Sequence, residues 1–120
     1  MYELTVRDHF DAAHTLRGYD GECSRLHGHT WDVDVTVAGD RLDAVGIVYD
    51  FKRLKAELHA VLGDYDHVFL DEVPPFDALN ATAENLARVI HERLTAIVEG
   101  VTVLEVAVWE SPVAKLTYRP

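Results

Sequence analysis

Cysteine, lysine and long apolar runs are all scarce in this chain, and each shortage excludes something. The single cysteine, Cys23, rules out an internal disulfide and suits a reducing compartment. No apolar stretch approaches the roughly 20 residues that a membrane-spanning helix needs, so no membrane partner is expected. The opening Met1-Tyr2-Glu3-Leu4 has no basic stretch followed by an apolar one, which predicts no signal peptide and a cytoplasmic location. Basic charge is also short: 11 Lys and Arg stand against 21 Asp and Glu, for a net charge of −10, and only Lys52, Lys55 and Lys115 are lysines. A nucleic-acid surface needs a basic footprint, so no nucleic acid is expected as partner. An acidic, lysine-poor balance suits a salt-rich cytoplasm, where screening over about 3 Å at 1 M salt tames self-repulsion; this predicts a halophilic protein. What remains is ample for a core. The chain has 120 residues, 48% of them hydrophobic, which predicts one folded domain over residues 1–120.

The hydropathy pattern orders the elements. Residues 2–13 alternate as a strand, and residues 15–26 form a loop with Gly18, Asp20 and Gly21 as turn signals. Residues 29–38 alternate clearly, with Trp31, Val33, Val35 and Val37 against Asp32, Asp34 and Thr36. Asp50 is placed to cap a helix whose stripe is Phe51, Leu54, Leu58, Val61 and Leu62, closed by Gly63. A long loop over 64–81 contains Asp66-His67 and Pro74-Pro75. Thr82 caps a second helix, with Glu84 in the first turn and the stripe Leu86, Ile90, Leu94, Ile97 and Val98. Strands follow over Val101–Glu110 and Ala114–Tyr118. The order ββααββ predicts an α+β domain: a four-stranded, mostly antiparallel sheet with two helices on one face. The third strand reads as apolar on both faces, with Leu104, Val106 and Val108 on one and Val101, Val103, Ala107 and Trp109 on the other. A sheet with one covered face does not need that, so a homo-oligomer is expected.

The residues that carry chemistry are His14, His27 and His29, with Cys23 four positions before His27. His27 and His29 flank one glycine, and on a strand that spacing puts both imidazoles on one face. His14 is in phase with Phe10, Val6 and Leu4, and His29 with Trp31, Val33, Val35 and Val37. Three neutral imidazoles can bind Zn2+ and leave a fourth position open, the pattern of a catalytic site. A thiol near a divalent cation loses its proton more readily, and Cys23 lies among the polar residues Gly21, Glu22, Ser24 and Arg25. Glu110 is in phase with Val106 and Val108, at the end of an apolar face.

His14, Cys23-x-x-x-His27-Gly28-His29, Gly46-Ile47-Val48-Tyr49-Asp50-Phe51, Asp66-His67, Thr82-Ala83-Glu84-Asn85 and Glu110-Ser111 occur here in the order found in the 6-pyruvoyl-tetrahydropterin synthase superfamily. The chain resembles that superfamily over nearly its whole length, and within it the 6-carboxy-5,6,7,8-tetrahydropterin synthase branch of queuosine and archaeosine precursor synthesis. The Cys-x-x-x-His-Gly-His spacing favours this branch. The resemblance implies a tunnelling fold (T-fold) whose copies join their sheets into a barrel, usually a hexamer of two trimers. It implies zinc on His14, His27 and His29, and 7,8-dihydroneopterin triphosphate as the small-molecule substrate. It further implies Cys23 as general base and acid, Asp66 and His67 as a proton-relay pair reaching the site from a neighbouring subunit, and Glu110 gripping the pterin's guanidine-like edge. In that branch the products are 6-carboxy-5,6,7,8-tetrahydropterin, acetaldehyde and triphosphate. A second branch keeps the side chain and makes 6-pyruvoyl-tetrahydropterin. A non-catalytic relative that only binds pterin or zinc is the alternative from another class. Ala81 stands where the family usually has proline, and Tyr65 where leucine is common. Arg17, Arg25 and Lys115 are candidate cations for the triphosphate.

Overall fold

The computed structural model describes residues 1–21 and 24–120. Its elements are β1 (Tyr2–His14), β2 (His27–Gly39), α1 (Phe51–Gly63), β3 (Val68–Phe69), α2 (Ala83–Ile97), β4 (Thr102–Ser111) and β5 (Ala114–Tyr118). They build one sheet in the order β3-β1-β2-β4-β5. β1, β2, β4 and β5 pair antiparallel, while β3 lies parallel to β1 at the edge. Helix α1 packs across β1, and α2 across β4 and β5. The sheet has five strands, not the four read from the pattern. β3 pairs through only Ala12↔Val68 and Ala13↔Phe69, and two residues cannot produce a recognisable alternation. The rest of the 64–81 segment is packed against the core rather than looping free: Tyr65, Leu70, Phe76 and Ala81 are buried.

Alternation along the β1–β2 hairpin decides where the core lies. Leu4, Val6, Phe10, Ala12 and His14 face inward on β1, and Trp31, Val33, Val35 and Val37 on β2. The helices close over this face with Leu54, Leu58, Val61 and Leu62 from α1 and Leu86, Ala87, Ile90 and Leu94 from α2. Both predicted caps form. The Asp50 carboxylate accepts from the Lys52 amide, and the Thr82 hydroxyl accepts from the Asn85 amide. Phe51 and Ile97, expected in the buried stripes, are instead 62% and 42% exposed. They lie at helix ends, where the periodicity continues but the covering surface does not.

The two-faced reading of β4 is also corrected. The pairing of β2 with β4 slips between Thr36 and Val37, so that Thr36 faces Glu105 and Val37 faces Val103. Leu104 falls in this bulge and the alternation shifts. Val103 therefore joins Val106 and Val108 on the helix side, leaving Glu105, Ala107 and Trp109 on the other. That second face is polar and partly covered within the chain. The Arg7 guanidinium carbon lies 5.2 Å from the Trp109 ring centroid, Lys115 Nζ lies 5.5 Å from it, and Trp109 Nε1 donates to Asp34 at 3.1 Å. Among the described residues, no helix is long and apolar enough to cross a membrane.

Candidate metal centre

The β1–β2 hairpin register brings the histidines together. His14 pairs directly with His27, and Ala12 with His29, so all three imidazoles leave the same face at the end of the hairpin where β1 and β2 are joined. Their ring centroids are 4.4 Å apart for His14–His27, 4.7 Å for His27–His29 and 5.2 Å for His14–His29. Trp31 floors the group, with its ring 5.0 Å from both His14 and His29 and stacked on Phe10.

Two backbone carbonyls fix the tautomers. His14 Nδ1 donates to the Ala81 carbonyl at 2.8 Å, and His27 Nδ1 donates to the Arg25 carbonyl at 2.6 Å. With Nδ1 carrying the proton, Nε2 keeps its lone pair. The Nε2 atoms of His14, His27 and His29 are all buried and have no hydrogen-bond partner. Leaving a buried polar atom unpaired is costly, and three aimed into one small volume need a common partner. Burial, above all, holds His14 and His29 below the ordinary histidine range, with the neighbouring imidazoles adding to the effect. They are therefore neutral, the form that ligates metal. This donor set fits a divalent transition metal bound by three imidazoles. The fourth member of the group is Glu110: its Oε1 comes within 3.3 Å of His29 Nε2, and one ligand atom from each of the four residues lies within 4.8 Å of the others.

Asp66 and His67 form a second group. Asp66 Oδ1 accepts from the Asp11 amide at 2.9 Å, and His67 Nδ1 lies 2.9 Å from Asp66 Oδ2. The His67 amide donates to the Asp11 carbonyl at 2.6 Å, which holds His67 at φ 56°, an uncommon value for a residue with a side chain. Hydrogen bonding to the Asp11 amide and to His67 keeps Asp66 below the usual carboxylate range. Its hydrogen bond to Asp66 raises His67 above the ordinary value. The Asp11 side chain accepts from the Thr30 hydroxyl at 2.5 Å. Asp11 and Thr30 pair across the hairpin on the face opposite the histidines, and with His67 they line a shallow depression there. Within one chain, the trio and the Asp66–His67 pair thus lie on opposite faces of the sheet.

Residues 3–120 match the family model described as 6-pyruvoyl tetrahydropterin synthase. The chain belongs to that family. The 6-carboxy-5,6,7,8-tetrahydropterin synthase of Bacillus subtilis is 37% identical over 128 residues, covering 99% of this chain and 86% of the relative. The enzyme of the same name from Haemophilus influenzae is 31% identical over 141 residues, covering 99% of each. The solved 6-pyruvoyl tetrahydropterin synthase of Caenorhabditis elegans superposes with a TM-score of 0.89 at 29% identity, covering 99% of this chain and 95% of that one. Membership places the chain in a family of pterin synthases with the T-fold.

The predicted site residues thus fall into three sets. The structure brings His14, His27, His29 and Glu110 together and sets Asp66 and His67 apart as a pair. The predicted catalytic Cys23 lies outside the described residues. Of the candidate triphosphate cations, Arg17 is partly committed elsewhere: it donates to the Phe76 carbonyl at 2.8 Å and lies 3.5 Å from Asp71. Asp71 also accepts from the amide and hydroxyl of Thr15, so it ties the chain after His14 to the segment before α2. Four contributors were not foreseen: the Ala81 and Arg25 carbonyls, Trp31 as floor, and Asp11 as anchor of the second pair. The position where family members usually have proline thus acts through its carbonyl, which proline also possesses. No side-chain pattern announces a carbonyl, whereas Trp31 was in phase with His29 from the start.

Proposed function

We propose that this protein is a zinc-dependent carbon–carbon lyase. It would convert 7,8-dihydroneopterin triphosphate and one water to 6-carboxy-5,6,7,8-tetrahydropterin, acetaldehyde and triphosphate, as an early step toward 7-deazapurines. The observation that carries the reading is the convergence of three buried, unpartnered Nε2 atoms from His14, His27 and His29. The full-length likeness to relatives named for the 6-carboxy product supports that choice of product.

In this reading His14, His27 and His29 hold the zinc, and the Ala81 and Arg25 carbonyls keep His14 and His27 in the ligating tautomer. When bound, the metal supplies a Lewis acid that makes the substrate's side-chain hydroxyls more acidic. Glu110 offers two carboxylate oxygens to the paired N–H edge of the pterin. Cys23 takes and returns protons at the side-chain carbons. Asp66 orients His67 and keeps it ready to donate a proton at Nε2. Because that pair faces away from the trio of its own chain, it would serve the trio of another copy. This supports a homo-oligomer; that it is a hexamer of two trimers working in the cytoplasm is part of the same proposal. Production of 6-pyruvoyl-tetrahydropterin is the second reading, supported by the close fold likeness to the nematode enzyme.

Replacing Cys23 by alanine separates an enzyme from a binder. An enzyme loses turnover of 7,8-dihydroneopterin triphosphate by at least about 100-fold, as expected for a general acid–base group, and keeps zinc and pterin binding. Turnover unchanged in Cys23→Ala would remove the assigned role. A parent protein that binds pterin and never turns over would remove the enzyme.

A further inference from the structure

Glu110 lies in a place that pterin recognition alone does not explain. It follows Val108 by two residues on the core-facing side of β4, so strand alternation turns it toward the histidines. Its Oε1 then sits 3.3 Å from His29 Nε2, without the alignment of a hydrogen bond. A neutral imidazole with Nδ1 protonated presents a lone pair at Nε2, and a carboxylate oxygen presents another. Two such atoms repel unless positive charge lies between them. The cation that the other two Nε2 atoms also need supplies that charge. Glu110 and the three histidines each offer one ligand atom, all within 4.8 Å of one another, and three nitrogens with one carboxylate oxygen make a complete set for four-coordinate zinc.

Four protein ligands close a site, whereas a catalytic one needs an open position. Glu110 is able to move. Its side chain is 38% exposed, it stands at a strand end just before the Pro112–Val113 turn, and its carboxylate makes no hydrogen bond among the described residues.

We propose that Glu110 is the fourth ligand of the His14–His27–His29 centre in the substrate-free protein, and that it leaves to grip the pterin edge when substrate enters. The carboxylate then couples the two events. Recognition of the paired N–H edge opens the coordination position that the substrate's hydroxyls require, and the centre stays shut without a pterin. The inference rests on the reading that the trio holds zinc and that the ligand is a pterin.

The test uses the metal-free full-length protein and its Glu110→Gln and Glu110→Asp variants, each checked for its fold by circular dichroism. Zinc affinity is measured by competition with a chromophoric chelator, and coordination by the visible spectrum of the cobalt(II) form. Glu110→Gln should bind zinc at least about tenfold more weakly, since even outer-shell losses reach that size, and its cobalt spectrum should shift. Glu110→Asp, which keeps the charge on a shorter arm, should fall between. Adding 6-methylpterin, which has no side-chain hydroxyls, should move the parent's cobalt spectrum toward that of Glu110→Gln. Unchanged zinc affinity and spectrum in Glu110→Gln, with 6-methylpterin binding lost, would overturn the inference and leave Glu110 as a pterin anchor only. A parent protein that takes up no zinc would overturn the metal reading itself.

Discussion

Replacing Thr82 by alanine should damage the metal centre from a distance, and by a calculable route. The Thr82 hydroxyl accepts from the Asn85 amide at 3.0 Å and caps α2. Losing such a cap costs about 1 kcal/mol, within a range of roughly 0.5–2. For a chain of 120 residues, 1 kcal/mol lowers Tm by about 4 °C. The cap also fixes the chain just before the helix, where the Ala81 carbonyl receives the His14 Nδ1 proton at 2.8 Å. A frayed helix start lets that carbonyl drift, and disturbing an outer-shell partner of a ligating histidine typically costs about 10–100-fold in metal affinity. Asp50→Ala is the matched control. It removes the equivalent cap of α1, where the carboxylate accepts from the Lys52 amide at 2.8 Å, and touches no histidine. Both variants should lose about 4 °C in the metal-free state by calorimetry. Only Thr82→Ala should lose zinc affinity, by at least about tenfold in a chelator competition. Equal zinc affinity in the two variants would refute the claim that Ala81 orients His14.

Three further outcomes follow from the same structure. Because burial lowers the folded-state values of His14 and His29, the unfolded chain takes up protons first. Stability of the metal-free protein is therefore full above the ordinary histidine value of about 6.5 and falls as pH drops below it, read as a declining urea midpoint. For the exposed Asp66–His67 pair the sign differs: His67 titrates above 6.5 because of Asp66, so Asp66→Asn should bring its NMR titration down toward that value. An unmoved midpoint would mean that the ion pair does not form in solution. Finally, 21 acidic residues against 11 basic ones predict that raising salt toward 1 M increases Tm by screening self-repulsion. A flat Tm across that range would remove the halophilic reading.

The centre was readable from sequence because strand alternation is a strong rule. His14 in phase with Phe10, and His29 in phase with Trp31, already implied one face, and the hairpin register only had to bring the strand ends together. The caps at Asp50 and Thr82 were readable for a similar reason, since a short polar side chain before an apolar stripe has few other uses. What escaped was set by tertiary contacts. β3 is two residues long and exists because the backbone at Ala12 and Ala13 has a free edge. The bulge at Leu104 reverses a face without any glycine or proline to mark it. The helical stripes gave direction but not extent, which is why Phe51 and Ile97 were misplaced. The opposite facing of the Asp66–His67 pair depends on how the 64–81 segment docks on β1, and no local pattern records that.

The most direct test of the proposed activity is product analysis by mass spectrometry. Zinc-loaded protein is incubated with 7,8-dihydroneopterin triphosphate in dilute and in molar salt. The account predicts 6-carboxy-5,6,7,8-tetrahydropterin together with acetaldehyde. Formation of 6-pyruvoyl-tetrahydropterin without acetaldehyde, or bound pterin with no turnover in either salt, would contradict it.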